Sequence, residues 1–315
     1  MSASVPFTWH GARPWRAPAG AVMFVACARD IEAQLRAAIP VLDALAAPPL
    51  LHAAHDGVSA WVCEDGAGPT RRLLEAWQRR SAAVRLAQPS APSAWDRFQR
   101  LALCRNALLE EAVRSLPASG ALVALDLDCG LLPPSAMVNA IAALRSSPWE
   151  VSTANSPGRY RDLLALRSAT LNITHDCWQE RWPAPLRRYA TPGGLNCGEL
   201  SVQIEPAAPP LLVDSAFNGL ALYKAAALLR APHCRYAGTA PLGPAAQPVR
   251  ACEHLALHAC LRQAGARVAI VPSLVVDYRP PARPPPRKVI TLHRDGTLTA
   301  RWRSRRRKTL FRWLL

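Results

Sequence analysis

The sequence lacks three patterns that would assign it to a specialised class of protein. No apolar run approaches the roughly 18 to 20 residues that a membrane-spanning helix requires. None of the nine cysteines forms a C-x-x-C pair, which argues against a zinc ribbon or a dithiol redox motif. No internal repeat is found along the chain.

The N-terminus also lacks a continuous apolar stretch. Residues 1–20 contain two Trp, three Pro and two Arg, so we expect no secretory signal there and treat the segment as an extension. Cys27 and Cys63 lie in apolar runs, and we expect such cysteines to be buried thiols in a reducing compartment. A cytoplasmic protein follows from these two expectations.

Acidic residues are scarce relative to basic ones, but mainly in one part of the chain. The 315 residues include 38 Lys or Arg and 22 Asp or Glu, which gives a formal charge of +16. Residues 279–315 hold twelve of the basic residues and one Asp. We therefore predict a mildly basic body over 21–278, followed by a Pro-rich linker and a basic, aromatic tail over 279–315.

Apolar runs alternate with helical spacings along the body. The runs 21–28, 58–63 and 120–125 are continuous, as in strands that are buried on both faces. Helical spacing fills the segments between them, most clearly over 97–116. The alternation predicts an α/β fold, with a Rossmann-like, mainly parallel sheet flanked by helices in a single domain.

Polar clusters follow three of these strands where the strands end. They are Arg29-Asp30, Glu64-Asp65 and Asp126-Leu127-Asp128. Because ligands bind beyond the carboxyl ends of the strands in such sheets, we expect the three clusters to converge on one crevice. Their convergence supports a nucleotide site more strongly than any single cluster does.

Asp126 and Asp128 have the chemistry of a divalent-metal site. At positions i and i+2 of a strand both carboxylates point to one side, and Mn²⁺ or Mg²⁺ suits hard oxygen ligands. A cation held there would neutralise the charge that develops on a diphosphate leaving group. The alternative is that the two Asp only cap the helix that follows Pro133.

The remaining polar residues near the strand ends are interpreted as nucleotide contacts. At Glu64-Asp65 a carboxylate would bind the base or ribose, or the pair would be a loop with a helix cap. At Arg29-Asp30 the cation would lie near phosphate and the acid near ribose. Arg105 would bind phosphate, hold Asp126 in place, or lie solvated on an exposed helix face.

The segment 252–258 carries a different chemistry. Glu253, at the start of a helix, is a candidate general base with His254 beside it. His258 shares a helix face with His254 and is a candidate metal ligand. The alternative is a helix-start charge followed by two packed histidines.

This ordered set resembles the capsule-associated α-1,3-mannosyltransferase-like family of GT-A glycosyltransferases. The matching pieces span about residues 20–278 and are Arg97-x-x-Arg100-Leu-Ala-x-x-Arg105-Asn106, Asp126-Leu-Asp128, Tyr160-Arg-Asp162-Leu-Leu-Ala-Leu-Arg167, Asp214-Ser-Ala-Phe-Asn218-Gly219-Leu-Ala-Leu-Tyr-Lys224 and Cys252-Glu253-His254-x-x-x-His258. The resemblance implies a nucleotide-sugar donor, Mn²⁺ or Mg²⁺ on the two Asp, and a sugar or acceptor site lined by Phe217, Asn218 and Gly219. It also implies a catalytic carboxylate near Glu253, although His254 stands where an acidic residue is common.

We therefore predict a GT-A glycosyltransferase that moves a hexose, mannose by the resemblance, to a glycan or lipid-linked acceptor in surface-polysaccharide synthesis. Residues 300–315 mix Arg with Trp, Leu and Phe, and we expect them to contact the inner face of a membrane. We expect no specific nucleic acid as a partner. The alternatives are a nucleotidyltransferase-like enzyme, against which the lack of Gly in 26–30 argues, and a non-enzymatic membrane or nucleic-acid binding protein that acts through its tail.

Overall fold

The computed structural model describes residues 7–10, 17–46, 58–64, 68–89, 95–177, 184–185, 197–242, 247–277 and 286–302. Asp65 lies outside the described residues, as does most of the predicted linker (278–285). Residues 303–315, which are the greater part of the predicted membrane-contacting segment, lie outside them as well.

The described residues form six helices and fourteen strands. The helices are α1 (Glu32–Ala46), α2 (Pro69–Arg80), α3 (Arg97–Ser115), α4 (Pro134–Ser146), α5 (Ala225–Arg230) and α6 (His254–Gln263). The strands are β1 (Phe7–His10), β2 (Val22–Ala28), β3 (Val58–Glu64), β4 (Val84–Pro89), β5 (Ala121–Asp126), β6 (Val151–Asn155), β7 (Leu200–Ile204), β8 (Leu211–Val213), β9 (Leu220–Lys224), β10 (Thr239–Leu242), β11 (Gln247–Arg250), β12 (Val268–Val275), β13 (Lys288–Leu292) and β14 (Leu298–Trp302).

Nine strands form the central sheet in the order β1-β4-β3-β2-β5-β9-β6-β12-β8. Strands β4, β3, β2 and β5 are parallel, and so are β6 and β12. Strand β9 is antiparallel to β5 and β6, between which it lies, and β1 and β8 are antiparallel edges. The predicted mainly parallel sheet is therefore confirmed, with three antiparallel strands in it.

Helices cover both faces of this sheet because its inner strands are apolar on both sides. Met23 and Val25 of β2 pack in a cluster with residues of α3, α5 and α6. Val22 and Phe24, which alternate with them, pack in a second cluster with α1, α2 and α4. Successive side chains of a strand point to opposite faces, so the continuous apolar run over 21–28 serves two cores at once.

The helix that carries Arg105 begins at a well-defined cap. The Asp96 carboxylate accepts the N–H groups of Phe98 and Gln99 at 2.8 and 3.1 Å, and the Gln99 side chain accepts the Asp96 N–H at 3.0 Å. Such a reciprocal capping box satisfies donors that the first helical turn leaves unpaired. It fixes the position at which α3 begins, and Arg105 lies on a buried face of this helix.

The folded part of the chain extends beyond the predicted body at both ends. Strand β1 pairs with β4, so the N-terminal extension adds an edge strand. Strands β13 and β14 form an antiparallel hairpin, and β13 runs parallel to β7 in a separate three-stranded sheet. Ile290 and Leu292 of β13 are buried in the main core. The prediction that 279–315 is only linker and tail is wrong for 288–302, because the charged residues obscured the strand alternation there.

Two disulfides join four of the nine cysteines, whereas Cys27 and Cys63, the two predicted thiols, are free. Cys177 bonds to Cys197, and Cys234 bonds to Cys260, across 20 and 26 positions of sequence. The other five cysteines are free. Disulfides are typical of oxidising compartments, so the two bonds weigh against the predicted cytoplasmic location. None of the helices in the described ranges is long and apolar enough to cross a membrane.

Candidate active site

A cleft of about 960 Å³ opens at the carboxyl ends of the parallel strands. Its volume lies at the upper end of the range found for small-molecule sites, about 300 to 1,000 Å³. The lining includes the ends of β2 and β5, the buried face of α3, residues 161–164, and the segments that lead into β9 and α6. Arg29-Asp30 and Asp126-Asp128, which are far apart in sequence, therefore share one cavity.

Arg105, a buried residue of the cleft lining, joins two carboxylates. Its Nη2 donates to Asp126 Oδ1 at 2.7 Å, and its Nε donates to Glu253 Oε1 at 3.0 Å. The Arg105 side chain is only 4% exposed, while that of Asp126 is 27% exposed. Of the three roles considered for Arg105, the geometry supports the one in which it holds Asp126 in place.

Aromatic rings complete the surroundings of the Arg105 guanidinium. Its central carbon lies 4.8 Å from the centroid of Phe217 and 5.9 Å from that of Tyr236, at distances typical of cation–π contacts. Burial lowers the pKa of Arg105, but Asp126 and Glu253 outweigh burial, and the net pKa is raised. The Arg105 guanidinium therefore keeps its positive charge in this buried position.

Asp126 and Asp128 lie on a firmly held turn at the end of β5. The Asp126 N–H donates to the Gly219 carbonyl at 2.8 Å, and the Gly130 N–H donates to the Asp277 carbonyl at 2.7 Å. Asp128 is exposed and lines the cleft. These two carboxylates are the side chains on which a hard divalent cation would bind.

Glu253 and His254 form the innermost part of the cleft. They are 3% and 1% exposed, and His254 Nε2 lies 3.6 Å from Glu253 Oε1. The His254 ring stacks on Phe217 with centroids 3.8 Å apart, and neither of its ring nitrogens has a hydrogen-bond partner. Burial, together with Arg105 and His258, lowers the pKa of His254 well below its usual value, so the ring is neutral.

The structure corrects the prediction that His258 is a metal ligand. His258 is fully buried, and its Nδ1 and Nε2 are hydrogen-bonded to Ser215 Oγ at 2.9 Å and Tyr223 Oη at 3.0 Å. Burial lowers its pKa to about 3. Both nitrogens are thus used inside the core, and His258 does not come together with Asp126 and Asp128 as a metal-binding group. The alternative of a packed histidine is the one observed.

Asn218 also has a different role from the predicted one. It is fully buried, and it does not line the cleft as Phe217 and Gly219 do. Its Oδ1 accepts the N–H groups of Arg161 and Asp162 at 3.2 and 3.3 Å, and its Nδ2 donates to Ser156 at 2.7 Å. The φ angle of Asn218 is +57°, a left-handed conformation that Asn tolerates better than most residues. Asn218 therefore positions the loop that carries Asp162.

Asp162 is a cleft residue that the sequence did not single out as functional. It lines the cleft with Arg161, and its Oδ1 accepts the Ala165 N–H at 3.2 Å. Burial, with a further contribution from the Glu253 charge, raises its pKa to about 6. The sequence did indicate this residue through the Tyr160-Arg-Asp162 motif, which matches the resembled family but was given no functional role.

The two outer polar clusters differ in how much the structure describes. Arg29 and Asp30 are exposed at the mouth of the cleft, with 3.7 Å between Arg29 Nε and Asp30 Oδ2. Glu64 ends β3 at the position paired with Ala28 of β2, while Asp65 lies outside the described residues. The roles predicted for these four residues in nucleotide binding stay predictions.

Comparisons with known proteins yield matches among solved structures. No protein-family model matches the sequence, and no curated protein matches it. The mannosyltransferase PcManGT from Pyrobaculum calidifontis, solved with GDP-Man and Mn²⁺, has 14% identity and a TM-score of 0.47 over 86% of this chain and 61% of its own. TarS from S. aureus has 10% identity and a TM-score of 0.43 over 82% and 59%. GalNAc-T7, solved with UDP, GalNAc and Mn²⁺, has 11% identity and a TM-score of 0.45 over 82% and 43%. The chain thus spans less than two thirds of each of these three chains.

Proposed function

We propose that the protein is a metal-dependent GT-A glycosyltransferase that transfers a hexose from a nucleotide-diphosphate sugar. One observation carries the proposal. Asp126 and Asp128 face a cleft of small-molecule size at the strand ends, and Arg105 fixes Asp126 from below. A carboxylate whose position is fixed before the substrate arrives needs little reorganisation during the reaction.

The carboxylates suit Mn²⁺ or Mg²⁺ in the presence of a diphosphate. Such ions are bound through one or two carboxylates together with substrate phosphates, rather than in a cage made only of protein. The exposed Asp128 is the main protein ligand in this proposal, and Asp126 is shared between the metal and the ribose. The metal would neutralise charge on the departing diphosphate.

The remaining parts of the cleft suggest places for the rest of the donor and for the acceptor. Arg29, at the mouth of the cleft, is a cation that suits phosphate. Phe217 and Gly219 line the part of the cleft in which we place the sugar. We further propose a glycan or lipid-linked acceptor and a mannose donor. Residues 300–315 would hold the enzyme at a membrane surface through Arg and aromatic side chains.

A donor screen tests the proposal directly. Thermal unfolding is recorded with UDP-, GDP- and CMP-sugars, each with Mn²⁺ and with EDTA. A donor at 100 times its Kd should stabilise the fold by about 2.7 kcal/mol, and only with the metal. Hydrolysis of the same donor then gives a rate. The proposal fails if none of these donors, with or without Mn²⁺, shifts unfolding and none is hydrolysed.

A further inference from the structure

Glu253 is poorly suited to act as the base that its place at the start of α6 predicts. Its carboxyl is buried, and Arg105 Nε donates to it at 3.0 Å. The Glu253 carboxylate is thus held in place as a structural partner of Arg105. At 3% exposure it is also less open to an incoming hydroxyl than a carboxylate at the surface of the cleft.

Asp162 lies in the same cleft without that restriction. It is partly exposed, and its carboxylate accepts the backbone N–H of Ala165 rather than a guanidinium. The backbone before and at Asp162 is held by Asn218, which accepts the N–H groups of residues 161 and 162. The carboxylate therefore lies at a fixed place in the cleft while still open to an incoming molecule.

The electrostatic surroundings of Asp162 favour acceptance of a proton. Burial, which is the largest cause, and the neighbouring carboxylates of Glu253 and Asp126 together raise its pKa to about 6, against the lowering effect of two backbone N–H groups. A general base works best when its pKa is near the operating pH. An ordinary exposed Asp, with a pKa of about 3.9, would be a weaker base.

We propose that Asp162 is the general base that deprotonates the acceptor hydroxyl, an inference that rests on the proposed function. The Asp162 carboxylate takes the hydroxyl proton as the acceptor oxygen forms a bond to the anomeric carbon of the sugar. The bond from that carbon to the diphosphate oxygen breaks, and the nucleoside diphosphate leaves with the electron pair. Attack and departure occur on opposite sides, so the transfer inverts the anomeric configuration.

Hydrolysis of the donor tests this role, with water in the place of the acceptor. The donor is the nucleotide-sugar that most stabilises the wild type with Mn²⁺. Asp162→Ala should lower the rate of donor hydrolysis by about 10²- to 10⁴-fold, the usual contribution of a general base. It should change the donor Kd by less than about threefold, because a base that acts on the acceptor does not contribute to donor binding. Sodium azide needs no deprotonation, so it should restore turnover in Asp162→Ala and yield the glycosyl azide of inverted configuration.

Asp162→Asn is the matched variant, because its amide oxygen can still accept the Ala165 N–H. It should fold and bind donor like the wild type and lose hydrolysis to the same extent. Wild-type rates in Asp162→Asn, or azide rescue of Glu253→Ala instead of Asp162→Ala, would overturn the inference. If the wild type neither binds nor hydrolyses any donor, the proposed function fails, and that result is distinct from failure of the Asp162 role.

Discussion

Arg105 Nη2 and Asp126 Oδ1 are 2.7 Å apart although their residues are 21 positions apart in sequence. The bond joins the middle of a buried helix to the end of a central strand. The same guanidinium also binds Glu253, from a segment 148 positions away. One side chain thus links three elements at the cleft.

The first prediction concerns this link. Arg105→Met removes the shared partner of two carboxylates and leaves Glu253 as an uncompensated buried charge. We expect the free energy of unfolding to fall by about 3 to 5 kcal/mol, measured by urea denaturation. Arg36→Ala is the control, since Arg36 makes an equally short bond to Glu32 on an exposed helix surface. The Arg36→Ala variant should lose no more than about 1 kcal/mol of unfolding free energy. Equal losses in the two variants would contradict the prediction.

The second prediction tests whether Asp128 binds the metal without contributing to the stability of the fold. Asp128 is exposed, so Asp128→Asn should change the free energy of unfolding by no more than about 0.5 kcal/mol. It should remove the stabilisation that Mn²⁺ and donor together produce in thermal unfolding. Glu110→Gln, at an exposed carboxylate of α3 outside the cleft, should leave that stabilisation intact. Retention of the Mn²⁺ effect in Asp128→Asn would exclude this residue as the main ligand.

The third prediction is a loss of stability at acid pH caused by His258. Its pKa is lowered to about 3 in the folded protein, against about 6.5 when unfolded. Only the unfolded chain then gains a proton as the pH falls below 6.5, so stability is complete above that pH and declines toward pH 3. The contribution is about 1 kcal/mol per pH unit. Urea denaturation at pH 5 and 7 should show a shallower pH dependence for His258→Gln; an unchanged dependence would contradict the assignment.

The fourth prediction concerns the disulfide between Cys234 and Cys260. The bond closes a loop of 26 positions, and a loop of that length stabilises the fold by about 3.5 kcal/mol in the chain-entropy model. The double variant Cys234→Ala, Cys260→Ala should lose roughly this amount of unfolding free energy under non-reducing conditions. Thiol titration of the denatured wild type should give five free thiols, as the two disulfides require. A count of nine would show that neither bond forms.

The fifth prediction tests the tail while preserving the hairpin. Truncation after Trp302 removes six of the Lys and Arg residues but keeps β13 and β14. Each basic residue near an anionic surface contributes about 1 kcal/mol, so binding to phosphatidylserine vesicles should fall by at least about 100-fold. Thermal unfolding and donor binding should be unchanged. Undiminished vesicle binding by the truncated chain would place any membrane contact elsewhere.

The sequence by itself determined the layers of the fold. Continuous apolar runs such as 21–28 indicated strands buried on both faces, and the structure confirms a mainly parallel sheet between two helical layers. It also determined that Asp126 and Asp128 come at the carboxyl end of an apolar strand. These features are local, because they depend on the period of apolar residues and on what comes directly after each run.

Only the tertiary structure decided which side chains meet. The insertion of antiparallel β9 beside β5 brings Gly219 against Asp126, and no local pattern encodes that pairing. Contacts between distant segments also bury Asn218 and His258 in the core and join four cysteines in pairs. They leave Asp162 in the lining of the cleft. Spacing along a helix shows that His254 and His258 share a face, but the partners of that face come from distant segments. The roles of these residues therefore depend on long-range packing, and the spacing of apolar residues within one segment gives no information about those distant contacts.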